Sequence, residues 1–200
     1  MDSKILLKYT KNIGTYFSAS LIPMILNLIS NPFIAMNMDP KDYAIVGYYS
    51  SFNSLIQPLI TFYMLHYYTK RFYELDENGR AELRATLMKS LIWFSGLLTL
   101  LSLGGVIIYT IFFNKETVMP LFPYAMMSVL ALPFTGVISL TTCDYRMSRR
   151  ANDFFKLSVF QGVSLVVLTF LFVVFFKWGA FGKLLAPLVA NIAYSHHQYC

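Results

Sequence analysis

The chain has 200 residues, 56% hydrophobic and 17% aromatic, and only 13% are charged where a soluble domain carries about 25%. This composition excludes an ordinary soluble globular domain and points to a polytopic membrane protein. The formal net charge of +6 does not imply nucleic acid, because the cations stand in clusters between long uncharged intervals.

The first interval, 12–38, contains no charged side chain and exceeds the roughly 20 residues that a helix needs to cross a bilayer. It is too long for the apolar part of a signal peptide, and no small-residue cleavage site follows it. Pro23, Pro32, Ser18, Ser20, Asn27, Ser30 and Asn31 make it more polar than a simple anchor. Tyr16, Ser20, Pro23, Asn27 and Asn31 recur at helical spacing, so they share one face. Amides are costly in hydrocarbon, and Asn27 and Asn31 are therefore expected to face other helices or a wet cavity, as packing contacts or as ligand contacts.

The short connection that follows offers Asp39 as a cap and Pro40 at a first helical position. So tight a turn predicts that spans one and two are antiparallel neighbours. In the second interval Ser50, Ser54, Gln57 and Thr61 form a stripe with Asn53 beside it, and Pro58 predicts a kink behind Gln57. Two such faces predict a hydrated groove between the spans. His66 near the end of this interval suits either an interfacial position or a proton relay, and no acid within the span could partner it.

The stretch 70–89 alternates in charge; Asn78 and Gly79 predict a break, with a solvated helix from Arg80 into span three. Ser95, Gly96, Ser102, Gly104 and Gly105 in that span allow close approach of a neighbour. Span four carries Pro120, Pro123 and Pro133, and its exit concentrates Arg146, Arg149, Arg150 and Lys156. Such a cluster serves either contact with anionic headgroups, at about 1 kcal/mol per cation, or orientation of the chain.

Span five holds Gln161 and Ser164 on one face, and span six places Lys183, Pro187 and Asn191 at i, i+4 and i+8. Lys183 is close enough to the boundary to snorkel outward, or else meets an anion. His196, His197 and Cys200 at the tail lack the further ligand and geometry of a metal site, Cys143 and Cys200 show no disulfide pattern, and no cofactor is expected.

The spans are thus expected over 13–36, 43–68, 90–113, 118–142, 157–176 and 178–198, in one all-α unit covering 1–200. Lys4, Lys8 and Lys11, then Lys70, Arg71, Arg80, Arg84 and Lys89, then Arg146, Arg149, Arg150 and Lys156 occupy alternate connections. The opposite ones hold Lys41, Lys115 and Lys177, so the positive-inside rule predicts that both termini are cytoplasmic.

Lys11-Asn12 leading a proline-containing span, the stretch MDPKDYAIVGYYSSFNSL, and YRMSRRANDFFKLSVFQGVSLVV together resemble the oligosaccharide flippases of the polysaccharide-exporter group. These are related to the MATE exporters within the multidrug/oligosaccharidyl-lipid/polysaccharide superfamily. Where that family has roughly Leu-Gly-x-x-x-Tyr-Gly between its first two spans, this chain has Met38 and Asp39, keeps Tyr43, and replaces the last glycine with Ala44.

The resemblance implies a six-helix lobe of a two-lobe transporter in a bacterial cytoplasmic (inner) membrane, completed by a second lobe or a second copy. It also implies a non-enzymatic function: alternating-access translocation of a lipid-linked oligosaccharide, such as an O-antigen or other polysaccharide repeat unit. The alternatives are a MATE-like ion-coupled exporter of small molecules and a membrane fragment that only packs with a partner. Candidate cavity residues are Asn27, Asn31, Asn53, Gln57, Gln161, Lys183 and Asn191, and candidate anion contacts at the cytoplasmic mouth are Arg146, Arg149 and Arg150. Membrane lipid and the lipid-linked oligosaccharide are the expected partners.

Overall fold

The computed structural model describes residues 3–61, 63–112 and 123–199, with side chains over 12–61, 63–105, 108 and 123–194. Among the described residues there are helices and no strand: α1 (Ser3–Met36), α2 (Pro40–Thr61), α3 (Met64–Arg71), α4 (Glu77–Phe112), α5 (Tyr124–Met147), α6 (Ala151–Phe170) and α7 (Gly179–Tyr199). A π-helical turn, Leu171–Phe175, extends α6.

Four helices are long and apolar enough to cross a membrane, over Asn12–Met36, Glu77–Gly105, Tyr124–Met147 and Ala151–Phe175. The chain is accordingly all-α and of membrane-protein character. Of the six spans expected, the ones matching α2 and α7 are not among these four. The helix α2 has the length, 22 residues, but Ser50, Ser51, Asn53, Ser54 and Gln57 dilute its apolarity, and α7 is described with side chains only as far as Tyr194.

Three local boundaries differ from expectation. The interval 43–68 is two helices: α2 stops at Thr61, and Tyr63 takes a left-handed backbone (φ 63°) before α3 begins. Pro58 withholds one backbone donor, and the Thr61 hydroxyl donates to the carbonyls of Gln57 and Pro58, 3.3 and 3.2 Å away. Carbonyls so occupied satisfy the helix end, which a left-handed residue then closes.

The break expected at Asn78–Gly79 lies upstream of them. Asp76 accepts from the Gly79 amide through Oδ1 at 3.0 Å and from the Arg80 amide through its carbonyl, so α4 starts at Glu77. A Cβ at residue 79 would lie 2.8 Å from that carboxylate oxygen, which is why glycine suits the position. The outer part of span four lies partly outside the described residues, and its helix continues beyond 142 to Met147. Pro40 opens α2 as the sequence suggests, and the Tyr43 amide donates to the Asp39 backbone carbonyl at 3.0 Å.

The expectation that α1 and α2 are packed neighbours is overturned. They share the turn at 37–39, but α1 lies along α6 while α2 lies on α5 and α7. Near the turn, Ile34 and Met38 meet Ile45, Val46 and Tyr49 in one core with Ala125, Val173, Ala180 and Leu184. Away from it the two helices separate. The cause is a close crossing of α1 and α6, where Pro23 seats on Gly162.

The centre of the bundle is α5, half of whose apolar window is buried, against 17% for α1 and 22% for α4 and α6. The outer faces of α1 and α4 expose Ile13, Phe17, Met24, Leu28, Trp93 and Leu100, a surface suited to lipid or another helix. At the cation-rich end, Tyr68 of α3 and Phe72 just after it pack with Leu87 and Leu91 of α4 and Leu140 of α5.

A Cβ at residue 162 would stand 2.6 Å from Pro23 Cβ. Gly162→Val is therefore expected to destabilise the bundle by about 1–3 kcal/mol, the usual range for overpacking, and to lower the thermal unfolding midpoint in detergent. Gly96→Ala, where nothing lies within 4 Å, should leave that midpoint unchanged or raise it slightly.

Candidate functional site

Where α1 and α2 part, polar side chains from several helices line one cavity of about 170 Å³. Asn27, Ser30 and Asn31 come from α1, Ser50 and Asn53 from α2, Ser128 from α5, Thr169 from α6 and Lys183 from α7. The i, i+3 and i+4 spacings in α1 and α2 bring each set to one side of its helix. Ile34, Val46, Leu165, Leu184 and Pro187 complete an apolar wall.

Some of the polar capacity is used internally. The Asn27 amide nitrogen donates to the Pro23 carbonyl at 2.9 Å, and the Ser30 hydroxyl donates to the Leu26 carbonyl at 2.7 Å. The buried Ser128 hydroxyl donates to Asn53 Oδ1 at 2.7 Å, which ties α5 to α2 and fixes the Asn53 amide at the cavity. Lys183, half-buried, holds its ammonium 5.7 Å from the centre of the Tyr43 ring, a cation–π distance. It forms no ion pair with a described residue, and it both lines the cavity and reaches toward the N-terminal end of α2.

Asn27, Asn31, Asn53 and Lys183 are thus brought together, and the other three candidates are not. Gln161 donates to Asn191 Oδ1 at 3.4 Å, and Asn191 donates to the Thr135 hydroxyl at 3.3 Å, a chain that joins α6, α7 and α5 away from the cavity lining. Gln57 also lies off the lining; its side-chain nitrogen is buried and makes no hydrogen bond among the described residues. The hydroxyls of the α2 stripe turn back on their own helix, Ser54 to the Ser50 carbonyl and Thr61 to that of Gln57.

The three arginines do not converge on one mouth. Arg149 and Arg150 line one recess together with Arg80 and Arg84, where Arg150 also pairs with Asp153 at 2.7 Å, whereas Arg146 stacks over Phe154 at 4.9 Å beside Tyr16 in another. None lines the α1/α2 cavity.

Sequence reasoning missed Asp144. Its carboxylate is buried near the C-terminal end of α5, accepts from the Tyr68 phenol at 2.5 Å and pairs with Arg84 at 2.9 Å. Ser148 adds a longer bond at 3.4 Å. Burial, followed by the bond to Asp144, pushes the Tyr68 phenol above its ordinary value. The available signal was an acid standing directly after a long uncharged interval, inside a helix that also carries Arg146. Its partners lie in α3 and α4, far away along the chain.

Asp144→Ala is expected to cost about 3 kcal/mol by leaving Arg84 facing a buried gap, whereas Tyr68→Phe, which removes one bond to a carboxylate, should cost about 1.5–3 kcal/mol. The two amides of α2 should also differ under thermal unfolding. Asn53→Leu loses about 1 kcal/mol because Ser128 is orphaned, and Gln57→Met stays neutral or gains by up to about 1 kcal/mol because an unpaired donor is removed. Compared with family models, curated proteins and solved structures, the chain matches none.

Proposed function

We propose that the chain is one lobe of a membrane transporter that moves a lipid-linked oligosaccharide between leaflets by alternating access, with the cation-rich end cytoplasmic. The observation that carries this reading is the convergence of Asn27, Asn31, Asn53 and Lys183 on one cavity at the opening between α1 and α2. Amides and hydroxyls suit sugar hydroxyls, and a half-buried ammonium suits a phosphate or an acidic sugar. In this reading α2 and α7 also span the membrane, and their polarity follows from lining the cavity.

At about 170 Å³ the cavity falls below the roughly 300–1,000 Å³ of pockets that enclose a whole small ligand. That size fits a partial site, to be closed by a second lobe or a second copy of the chain. No Asp or Glu among the described residues lines the cavity, so the ion-coupled exporter reading finds no carboxylate among them to bind a coupling cation there. The reading of a fragment that only packs with a partner draws on the hydroxyls that bond back to their own helices.

The test is flipping of a fluorescent lipid-linked oligosaccharide in proteoliposomes reconstituted with this chain, with binding measured in parallel. Flipping is expected with the native chain, and Lys183→Met should reduce binding by roughly tenfold, the worth of one charge-assisted hydrogen bond, while leaving the unfolding midpoint in place. Binding unchanged in Lys183→Met rules the cavity out as the substrate site. Folded protein that neither binds nor flips favours the packing fragment.

A further inference from the structure

On the far side of α6 from α1, the cation-rich end of the bundle holds a second and larger recess of about 830 Å³. It exists because α4 and α6 both rest on α5 without packing extensively on each other. Arg84 of α4, Tyr145 of α5, Lys156 of α6 and Tyr194 of α7 stand near the ends of their helices around its rim. Phe160 and Val163 continue the lining from Lys156 into the bundle, about 6 and 10 Å further along α6 at the helical rise.

Charge therefore sits at the cation-rich end of the recess and apolar surface further along α6. The charges at the rim do not cancel. Arg84 is matched by Asp144 at 2.9 Å, and Asp153 by Arg150 at 2.7 Å. Lys156 is exposed and forms no ion pair with a described residue, which leaves one uncompensated positive charge at the rim.

We infer that this recess is a binding site for an anionic glycerophospholipid of the leaflet at the cation-rich end, with its phosphate on Lys156 and an acyl chain along Phe160 and Val163. A polar headgroup by itself would leave the apolar floor uncovered, and a zwitterionic lipid would bring no net negative charge to Lys156. The site is separate from the α1/α2 cavity, with which it shares no lining residue, and it does not depend on any transport activity.

The experiment is native mass spectrometry of the detergent-purified chain titrated with phosphatidylglycerol, with phosphatidylcholine of the same acyl chains, and with glycerol 3-phosphate as the headgroup without tails. Phosphatidylglycerol should be retained about fivefold over phosphatidylcholine, the worth of one cation near an anionic headgroup, and glycerol 3-phosphate should not be retained. Lys156→Gln should equalise the two lipids, Val163→Trp should reduce retention of both, and Lys89→Gln, an exposed cation of α4 off the recess, should change neither. Unfolding midpoints read on the same samples confirm that the variants are folded. Equal retention of both lipids by the native chain, a preference that survives Lys156→Gln, an equal loss in Lys89→Gln, or retention of glycerol 3-phosphate would each overturn the assignment.

Discussion

A polar group inside a bilayer has no water to bond to, so each one has to be answered within the protein or gathered where water or ligand can reach it. The structure follows that constraint at most positions, with the buried Gln57 Nε2 and Thr99 Oγ1 left without a hydrogen-bond partner among the described residues. Hydroxyls of Ser30, Ser54, Ser95, Thr135, Ser139 and Thr169 donate to carbonyls one turn back on their own helices. Some amides bond back in the same way, as Asn27 does to the Pro23 carbonyl, and others pair across helices: Asn53 with Ser128, and Gln161 with Asn191 and Thr135. Asn31, Ser50 and Lys183 join Asn27 and Asn53 at the opening between α1 and α2.

The opening itself is a packing outcome. Pro23 on Gly162 commits α1 to α6, while Ile60 of α2 joins Val129 and Leu132 of α5 in a core of its own. The two helices are held together only at their shared turn, where Ile34, Met38, Ile45 and Val46 pack in one cluster. At the opposite end the short helix α3 is pinned by the Tyr68, Asp144 and Arg84 contacts, which join three elements through one carboxylate. Breaking such a group is far more costly than its net stabilisation suggests, because an uncompensated charge would remain. This makes it a register device for the α3–α4–α5 corner.

The two recesses differ in chemistry as well as in place. The smaller is lined by amides, hydroxyls and one half-buried ammonium at the parting of α1 and α2. The larger grades from charged to apolar along α6, in the order that a lipid presents from headgroup to tail. One face of α6 is spent on α1 and another on this groove, so a single helix separates the two.

Much was legible from residue type and spacing alone. Long uncharged intervals pointed to an all-helical chain with membrane-spanning helices, since hydrocarbon excludes charge wherever the chain lies in it. The helical spacing of Asn27 with Asn31 and of Ser50 with Asn53 was readable as shared faces for the same periodic reason. Tertiary structure decided what each face meets. Gln57 shares a helix face with Asn53 yet leaves the cavity, because it lies one turn further along α2, beyond the lining. Asp144 acquires its importance from Tyr68 and Arg84, and the separation of α1 from α2 comes from a glycine in α6. Contacts between residues remote in sequence leave no periodic trace in it, and they became visible only when the helices were packed.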